Sequence, residues 1–459
     1  MLLGLMNVAS ATLGLLAVGM KLPREWVLPC TTVLATATER HLGVSFIPDV
    51  VAYLESNDSS VFWLLIGLSF TGLLLAYLNR PLVYIKRLEE CGYIPDGLHS
   101  METIANNTRK RRQGGDLPPP FPNGWFAALD SRELRIGEVR QVPLLGQLLA
   151  VYRGEDGVVG VLDAYCPHLG ANLAVGGVVS GCELQCPFHG WKFNREGKCT
   201  EIPYSEGKVP EFAKTKSWIS KETNGQILVW FDAEGREPFW EPMDIENVNN
   251  GAWKCRGVTE GYINAHIQEV PENGADIHHL NFLHSPWVLN GTDLRKTRKL
   301  IGILDHTWVA SWTPLEAPNG HIANLKLSHR LAVFGFKVSL FDFYVDAYQC
   351  GPSLVYLTWH FCLGRGAFFQ TMTPVEPMLQ KVSHSVWTDW WIPPMVASLL
   401  MMAEIRQVER DIMIWNNKRF LSKPLLVKED KLIGQFRRWY TQFYSESSRD
   451  FGAKNNTDW

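Results

Sequence analysis

The sequence predicts an α+β chain in three parts: an amino-terminal membrane anchor, an all-β domain, and a larger domain in which a helix, an antiparallel sheet and a long helix follow one another. Three observations carry this reading. An uncharged apolar run fills residues 61–78. From Gly124 onward, short apolar segments alternate with glycine-rich turns, the rhythm of an all-β domain. Beyond residue 238 a histidine-bearing helical stretch gives way to strand-like alternation, and Pro393-Pro394 then introduces a helical run. The 459 residues, 46% of them hydrophobic, suffice for two packed domains and an appendage.

The anchor region is placed at residues 1–80. Its second apolar stretch, VFWLLIGLSFTGLLLAYL from Val61 to Leu78, would rise about 27 Å as a helix, enough to cross a thin bilayer. Arg80, Lys86 and Arg87 follow, then Arg109-Lys110-Arg111-Arg112. Basic residues favour the cytosolic side, so a single-pass or two-pass membrane protein of the endoplasmic reticulum is expected, with everything after Leu78 in the cytosol. A buried core helix is the competing interpretation of the run. On the membrane topology the sequons at Asn106, Asn290 and Asn455 would lie in the cytosol and remain bare. The first stretch, Leu2 to Met20, stays open between a span, a cleaved segment and neither, because Lys21 and Arg24 conflict with a simple hairpin.

Residues 81–121 form a linker region, and QGGDLPPPFPN at 113–123 has the composition of a connection. The all-β domain is placed at residues 122–233, with WFAAL, QLLAVYR, GVVGVLDAY and GQILVWFD as strands. It contains two similar half-sites, Cys166-Pro167-His168 and Cys186-Pro187-Phe188-His189. Each carries a proline and a glycine (Pro167 and Gly170, Pro187 and Gly190), which suits tight loops clamping a small centre. Two thiolates and two imidazoles are the ligand set of a Rieske [2Fe-2S] cluster, in which histidines replace cysteines on one iron. The alternative is a Cys2His2 zinc site, which usually pairs cysteines with cysteines and histidines with histidines; mixed half-sites depart from that spacing. Cys182 and Cys199 lie off the pattern and read as ordinary buried thiols.

A third part, residues 238–440, contains Glu272-Asn273-Gly274-Ala275-Asp276-Ile277-His278-His279 and His284. On a helix His279 and His284 lie about 140° apart, and a slight distortion aims both at one metal. Two histidines and a carboxylate with open positions make the facial triad of non-haem Fe(II) oxygenases. Strand-like segments follow, among them FKVSL at 336–340 and LVYLTWHFCL. The tract Trp390 to Met402, WWIPPMVASLLMM, is either a substrate entrance or a core helix.

Composition excludes some classes. A net charge of -3 offers no global basic excess for nucleic acid. Nine cysteines, two of them claimed by a cluster, fit a reducing compartment better than a disulfide framework.

Together, CPHLGANL, CPFHGWKF and the D-x2-H-x4-H element of Asp276, His279 and His284 resemble the Rieske non-haem iron oxygenases over roughly residues 122–440. Ala171 and Phe188 stand where respiratory Rieske subunits place their extra cysteines. Within the family, the apolar amino terminus and the DIMIWNNK segment resemble the animal cholesterol 7-desaturases, the Neverland type. The resemblance implies a helix-grip, START-like catalytic domain with a mononuclear Fe(II) held by His279, His284 and a carboxylate from a later helix, with His278 as an outer neighbour. Asp411 is assigned as that carboxylate; Glu404 on the same helical face and Asp389 are its rivals. Asp276 is implied to relay electrons from the cluster of one subunit to the iron of the next in a head-to-tail homotrimer, a ring closed by heterologous contacts. The implied reaction takes a sterol, O2 and electrons from NAD(P)H through a reductase, with or without a ferredoxin, and converts cholesterol to 7-dehydrocholesterol. Sterol hydroxylation and oxidation of a chlorophyll derivative are the other oxygenase outcomes. A non-catalytic electron carrier would need neither His279 nor His284.

Overall fold

The structure, a computed structural model, describes residues 59–111, 116–286, 291–294, 304–338, 342–361 and 364–448. The stretch Leu2–Met20 and the sequons at Asn290 and Asn455 lie outside them. The chain divides into a unit ending at Arg80 and a larger unit from Pro81.

In the first unit the apolar run forms helix α1 (Ser59–Leu78). Among the described residues no helix is long and apolar enough to cross a membrane, which overturns the expected single-pass or two-pass anchor and the endoplasmic-reticulum topology built on it. Gly67, Ser69, Thr71 and Gly72 interrupt the run and dilute its apolar surface, so an apolar stretch by itself does not make a span.

From Gly124 the second unit forms small antiparallel sheets. One joins Gly124–Asp130, Gln226–Phe231 and Ser220–Thr223; another joins Val139–Leu144, Gln147–Arg153 and Val159–Asp163. Their hairpins turn on Leu145-Gly146 and Asn224-Gly225, both with positive φ at each residue, the geometry whose twist matches paired strands. Gly225 has a second duty, because a Cβ there would meet the Trp387 ring at 2.7 Å. A four-stranded sheet, Val178–Ser180, Glu183–Gln185, Lys192–Phe193 and Cys199–Glu201, supports the two cysteine loops. Leu162, Leu173, Leu184 and Phe193 pack around Cys166 and Cys186 as its core.

A nine-stranded sheet dominates the rest: β1 (Leu82–Ile85), β2 (Trp253–Ile263), β3 (Leu304–Pro314), β4 (Ile322–Val333), β5 (Phe336–Lys337), β6 (Phe343–Cys350), β7 (Leu354–Phe361), β8 (Gly364–Glu376) and β9 (Leu379–Asp389). Its order is β1-β2-β9-β8-β7-β6-β4-β3, with β5 on β4. The β1-β2 pair is parallel, Leu82 opposite Gly257, and the other pairs are antiparallel.

Between β2 and β3 the chain forms the short helix α2 (Ile277–Leu283), and after β9 the long helix α3 (Pro394–Trp415). Pro393 and Pro394 start α3, where a missing N–H costs nothing. Ala397, Met401 and Ile405 pack on Val345, Trp359 and Val386, while Val408, Ile412 and Trp415 join Met372, Val382 and Ile263. This burial pins α3 against the sheet along its length. The tract Trp390 to Met402 is therefore mixed: Ala397 and Met401 are buried, Trp390, Trp391 and Leu399 exposed. A final helix, α4 (Lys431–Tyr440), packs Phe436 and Trp439 on Trp312 of β3.

Candidate metal centres

The two cysteine loops are built alike. The Gly170 N–H donates to Cys166 O and the Gly190 N–H to Cys186 O, at 2.9 and 3.1 Å, and both glycines have φ near +75°. Each turn is closed by a further bond, Cys166 N–H to Ala171 O and Cys186 N–H to Trp191 O, both 2.8 Å. Such turns need a residue tolerant of positive φ, which places glycine after each half-site. The loops bring the rings of His168 and His189 to 4.7 Å, with His168 stacked on Trp191 at the same separation.

Cys166 and Cys186 are buried without a disulfide. Burial foremost, with the adjacent Cys186 thiol adding to it, pushes the Cys166 thiol up to about 11. The Nδ1 of His168 is buried and takes no hydrogen bond among the described residues. Unbonded buried nitrogen beside facing thiols is a donor set that a cationic iron centre satisfies. Cys199 is buried, as expected of an ordinary thiol, but Cys182 is exposed and donates to Asp156 Oδ2 at 3.2 Å; a polar turn partner holds it at the surface.

The second constellation lies between α2 and α3. One ligand atom each from His279, His284 and Asp411 lies within 4.8 Å of the others. Asp276 is the N-cap of α2, its carboxylate accepting from the His279 N–H at 3.3 Å. Its backbone carbonyl accepts from Nδ1 of the His279 ring, which leaves Nε2 for a metal. His284 follows the same rule. Its Nδ1 donates to Gln407 Oε1 at 2.7 Å, and its Nε2 faces Asp411 Oδ1 at 3.3 Å. Burial opposes the charged form of His284, yet the charge of Asp411 and the bonds from Asp411 and Gln407 outweigh it and raise the ring's pKa. Asp411 Oδ1 is buried and, apart from the facing His284 imidazole, meets no donor among the described residues. Two imidazole nitrogens and a carboxylate oxygen suit a divalent iron with positions left open.

The rival carboxylates are elsewhere. Glu404 lines the cavity wall half-buried, with burial raising its pKa, but stands outside the three-residue cluster. Asp389 is buried at the end of β9, accepting from Trp253 Nε1 and the Arg365 N–H, both at 2.9 Å. His278 is exposed. Gln407 escaped sequence reasoning; its one signal is a place four residues before Asp411, on the same helix face. Arg410 was also missed. Fully buried, it donates to the carbonyls of Leu283, Pro286 and Gly291 and so ties the end of α2 to α3.

His279, His284 and Asp411 open onto a cavity of about 430 Å³. Its walls are mostly apolar, with Leu325, Leu327, Val345, Leu357 and Phe368 from the sheet facing Leu400 and Val408 of α3.

Two domain families match the chain: the Rieske [2Fe-2S] domain over residues 124–214, and the 3-Ketosteroid 9alpha-hydroxylase C-terminal domain over residues 229–444. A curated relative from Xenopus laevis, described as Cholesterol 7-desaturase nvd, is 50% identical over 375 residues, 81% of this chain and 82% of that protein. Cholesterol 7-desaturase nvd 1 of Ciona intestinalis is 44% identical over 416 residues, 88% of each. Among solved structures, a Pseudomonas putida CBB5 NdmA QL mutant with caffeine shares the fold at a TM-score of 0.52, with 19% identity, over 69% of this chain and 89% of that one.

Proposed function

Because the chain belongs to the cholesterol 7-desaturase family of Rieske oxygenases, we propose that it removes the hydrogens of cholesterol at C7 and C8 to give 7-dehydrocholesterol. The observation that carries this reading is the opening of His279, His284 and Asp411 onto an apolar cavity of a size that accommodates one rigid lipid. The reaction balances as one sterol, one O2, one NAD(P)H and one proton giving the diene, two waters and NAD(P)+, the electrons arriving through a reductase. When bound, the cluster and the iron supply electron storage and O2 activation.

The residues of the chain do the rest. Cys166, His168, Cys186 and His189 hold the cluster, and residues 122–233 form its domain. His279, His284 and Asp411 hold the iron within a helix-grip catalytic domain, residues 238–440. Asp276 O and Gln407 Oε1 each occupy Nδ1 of their histidine, so both rings would offer Nε2 to the iron. Leu325, Leu357 and Phe368 exclude water from the reacting carbons.

In a head-to-tail trimer, Asp276, whose backbone carbonyl holds the His279 ring, would join that histidine to a cluster histidine of the neighbouring subunit and so link the two centres. Supporting this, Leu169, Phe188 and Tyr204 beside the cluster histidines are each at least 60% exposed, an apolar rim that a neighbouring subunit would cover.

The test is product identity. Purified chain supplied with a generic NAD(P)H reductase and cholesterol should yield 7-dehydrocholesterol; 7-hydroxycholesterol as the sole product would replace desaturation with hydroxylation.

A further inference from the structure

The cavity walls are apolar except at a few places, and one of them is a row across the sheet. Strand register sets Gln349 of β6 opposite Val355 of β7, Val355 opposite Gln370 of β8, and Gln370 opposite His384 of β9. Gln349, Val355 and Gln370 all line the cavity that holds the three metal-site residues. Gln349 is 5% exposed, and its Nε2 has no hydrogen-bond partner among the described residues. A buried amide donor left empty costs stability unless a ligand fills it.

Gln370 is the complement. Its amide N–H donates to Nε2 of His384 at 2.7 Å. Burial holds that ring neutral, with its pKa near 4, so Nε2 serves as the acceptor and the proton sits on Nδ1. The Oε1 of Gln370 accepts no hydrogen bond among the described residues. The row therefore offers one unfilled donor and one unfilled acceptor. Their Cα atoms are two strand spacings, about 10 Å, apart. Both glutamine side chains line the same cavity, and the intervening Val355 is shorter than either.

We propose that Gln349 and Gln370 form the hydroxyl-binding end of the cavity, Gln349 Nε2 donating to the C3 oxygen of a 3-hydroxysterol and Gln370 Oε1 accepting its proton. The assignment rests on the sterol reading above and deepens it. An alcohol satisfies both groups. A ketone leaves the acceptor unmatched, and a hydrocarbon leaves both unmatched. The pair would thus select a 3-hydroxysterol over a 3-ketosteroid, and would fix the distance between C3 and the iron so that C7 and C8 are the carbons presented.

The test is equilibrium binding to the full-length protein, loaded with cluster and iron and kept anaerobic. Radiolabelled cholesterol, cholest-4-en-3-one and cholest-5-ene are delivered from cyclodextrin. The native protein should bind cholesterol about tenfold more tightly than cholest-5-ene, with the ketone between them. Gln349→Met and Gln370→Met should each remove most of that preference and leave cholest-5-ene binding within about twofold, as expected when only the hydroxyl contact is lost. An unchanged visible spectrum of the cluster reports that the variants fold. If both variants keep the native preference, or weaken all three ligands equally, the hydroxyl assignment is overturned. Binding is read apart from turnover, so the two readings separate: loss of preference in variants of a protein that makes no diene would overturn the reaction and leave the subsite. Diene formation with the preference intact in both variants would do the opposite.

Discussion

Gln407 Oε1 accepts the Nδ1 proton of His284 at 2.7 Å, and this bond, made from α3 to the residue that ends α2, leaves Nε2 as the imidazole nitrogen that faces Asp411. The same oxygen also accepts from Arg410 Nη1 at 3.3 Å. Gln407→Leu should therefore leave the cluster unaffected and weaken iron binding by about 10- to 100-fold, the usual effect of losing such a partner. Chelator competition followed by iron analysis measures it; native iron retention would show that the ring is held by other means.

His279→Ala should keep the visible and EPR signals of the cluster and abolish turnover, because it removes a proposed iron ligand without touching either cysteine loop. Cys166→Ser should do the reverse, erasing the cluster signal and destabilising its domain, since metal binding contributes to folding there. Loss of the cluster signal in His279→Ala would sink the assignment of two separate sites.

Much of both centres is legible in the sequence because each ligand group is local. The half-sites at Cys166 and Cys186 lie within single loops, and His279 and His284 within one short helix. Asp411 arrives from α3, and only resemblance brought it to the histidines. Gln407 and Arg410 were not legible, since polar residues on a long helix look like solvated surface until α2 is packed over them. The Gln349–Gln370 row was hidden for a related reason: it depends on the register of three strands, which turn lengths and packing set rather than any motif. The apolar run at Val61–Leu78 misled in the other direction. Hydropathy marks a stretch as apolar but does not establish a span, and no described helix meets that requirement.

Asp276→Asn should retain both metal centres and the α2 helix, because asparagine caps a helix about as well as aspartate. Reduced cluster should nevertheless pass electrons to iron far more slowly, because the side chain that caps the His279 N–H loses its charge and one of its two acceptor oxygens for the neighbour's cluster histidine. Mixing this variant with Cys166→Ser should restore some activity in co-assembled trimers, where an intact bridge and iron meet a neighbour's cluster. Verified mixed trimers without activity would place electron transfer within one chain.

Gly92 has φ +68°, and a Cβ there would lie 2.6 Å from Ile412 Cγ2 and 2.9 Å from the Ile412 carbonyl carbon and Met413 N. Gly92→Ala should cost about 2 kcal/mol from the left-handed backbone alone, more with the displacement of α3 beside Asp411. A lowered urea midpoint together with reduced iron retention is expected. Native values for both would show that α3 accommodates the methyl group freely.

The central claim, that one chain joins a Rieske cluster to an iron held by His279, His284 and Asp411 for sterol desaturation, is tested most directly by a single turnover without reductase. Anaerobically reduced protein stores two electrons per chain, one at the cluster and one at the iron, the number the reaction consumes per O2. With cholesterol bound, a pulse of O2 should reoxidise the cluster and yield close to one 7-dehydrocholesterol per loaded site. Cluster oxidation with unchanged cholesterol would contradict the claim.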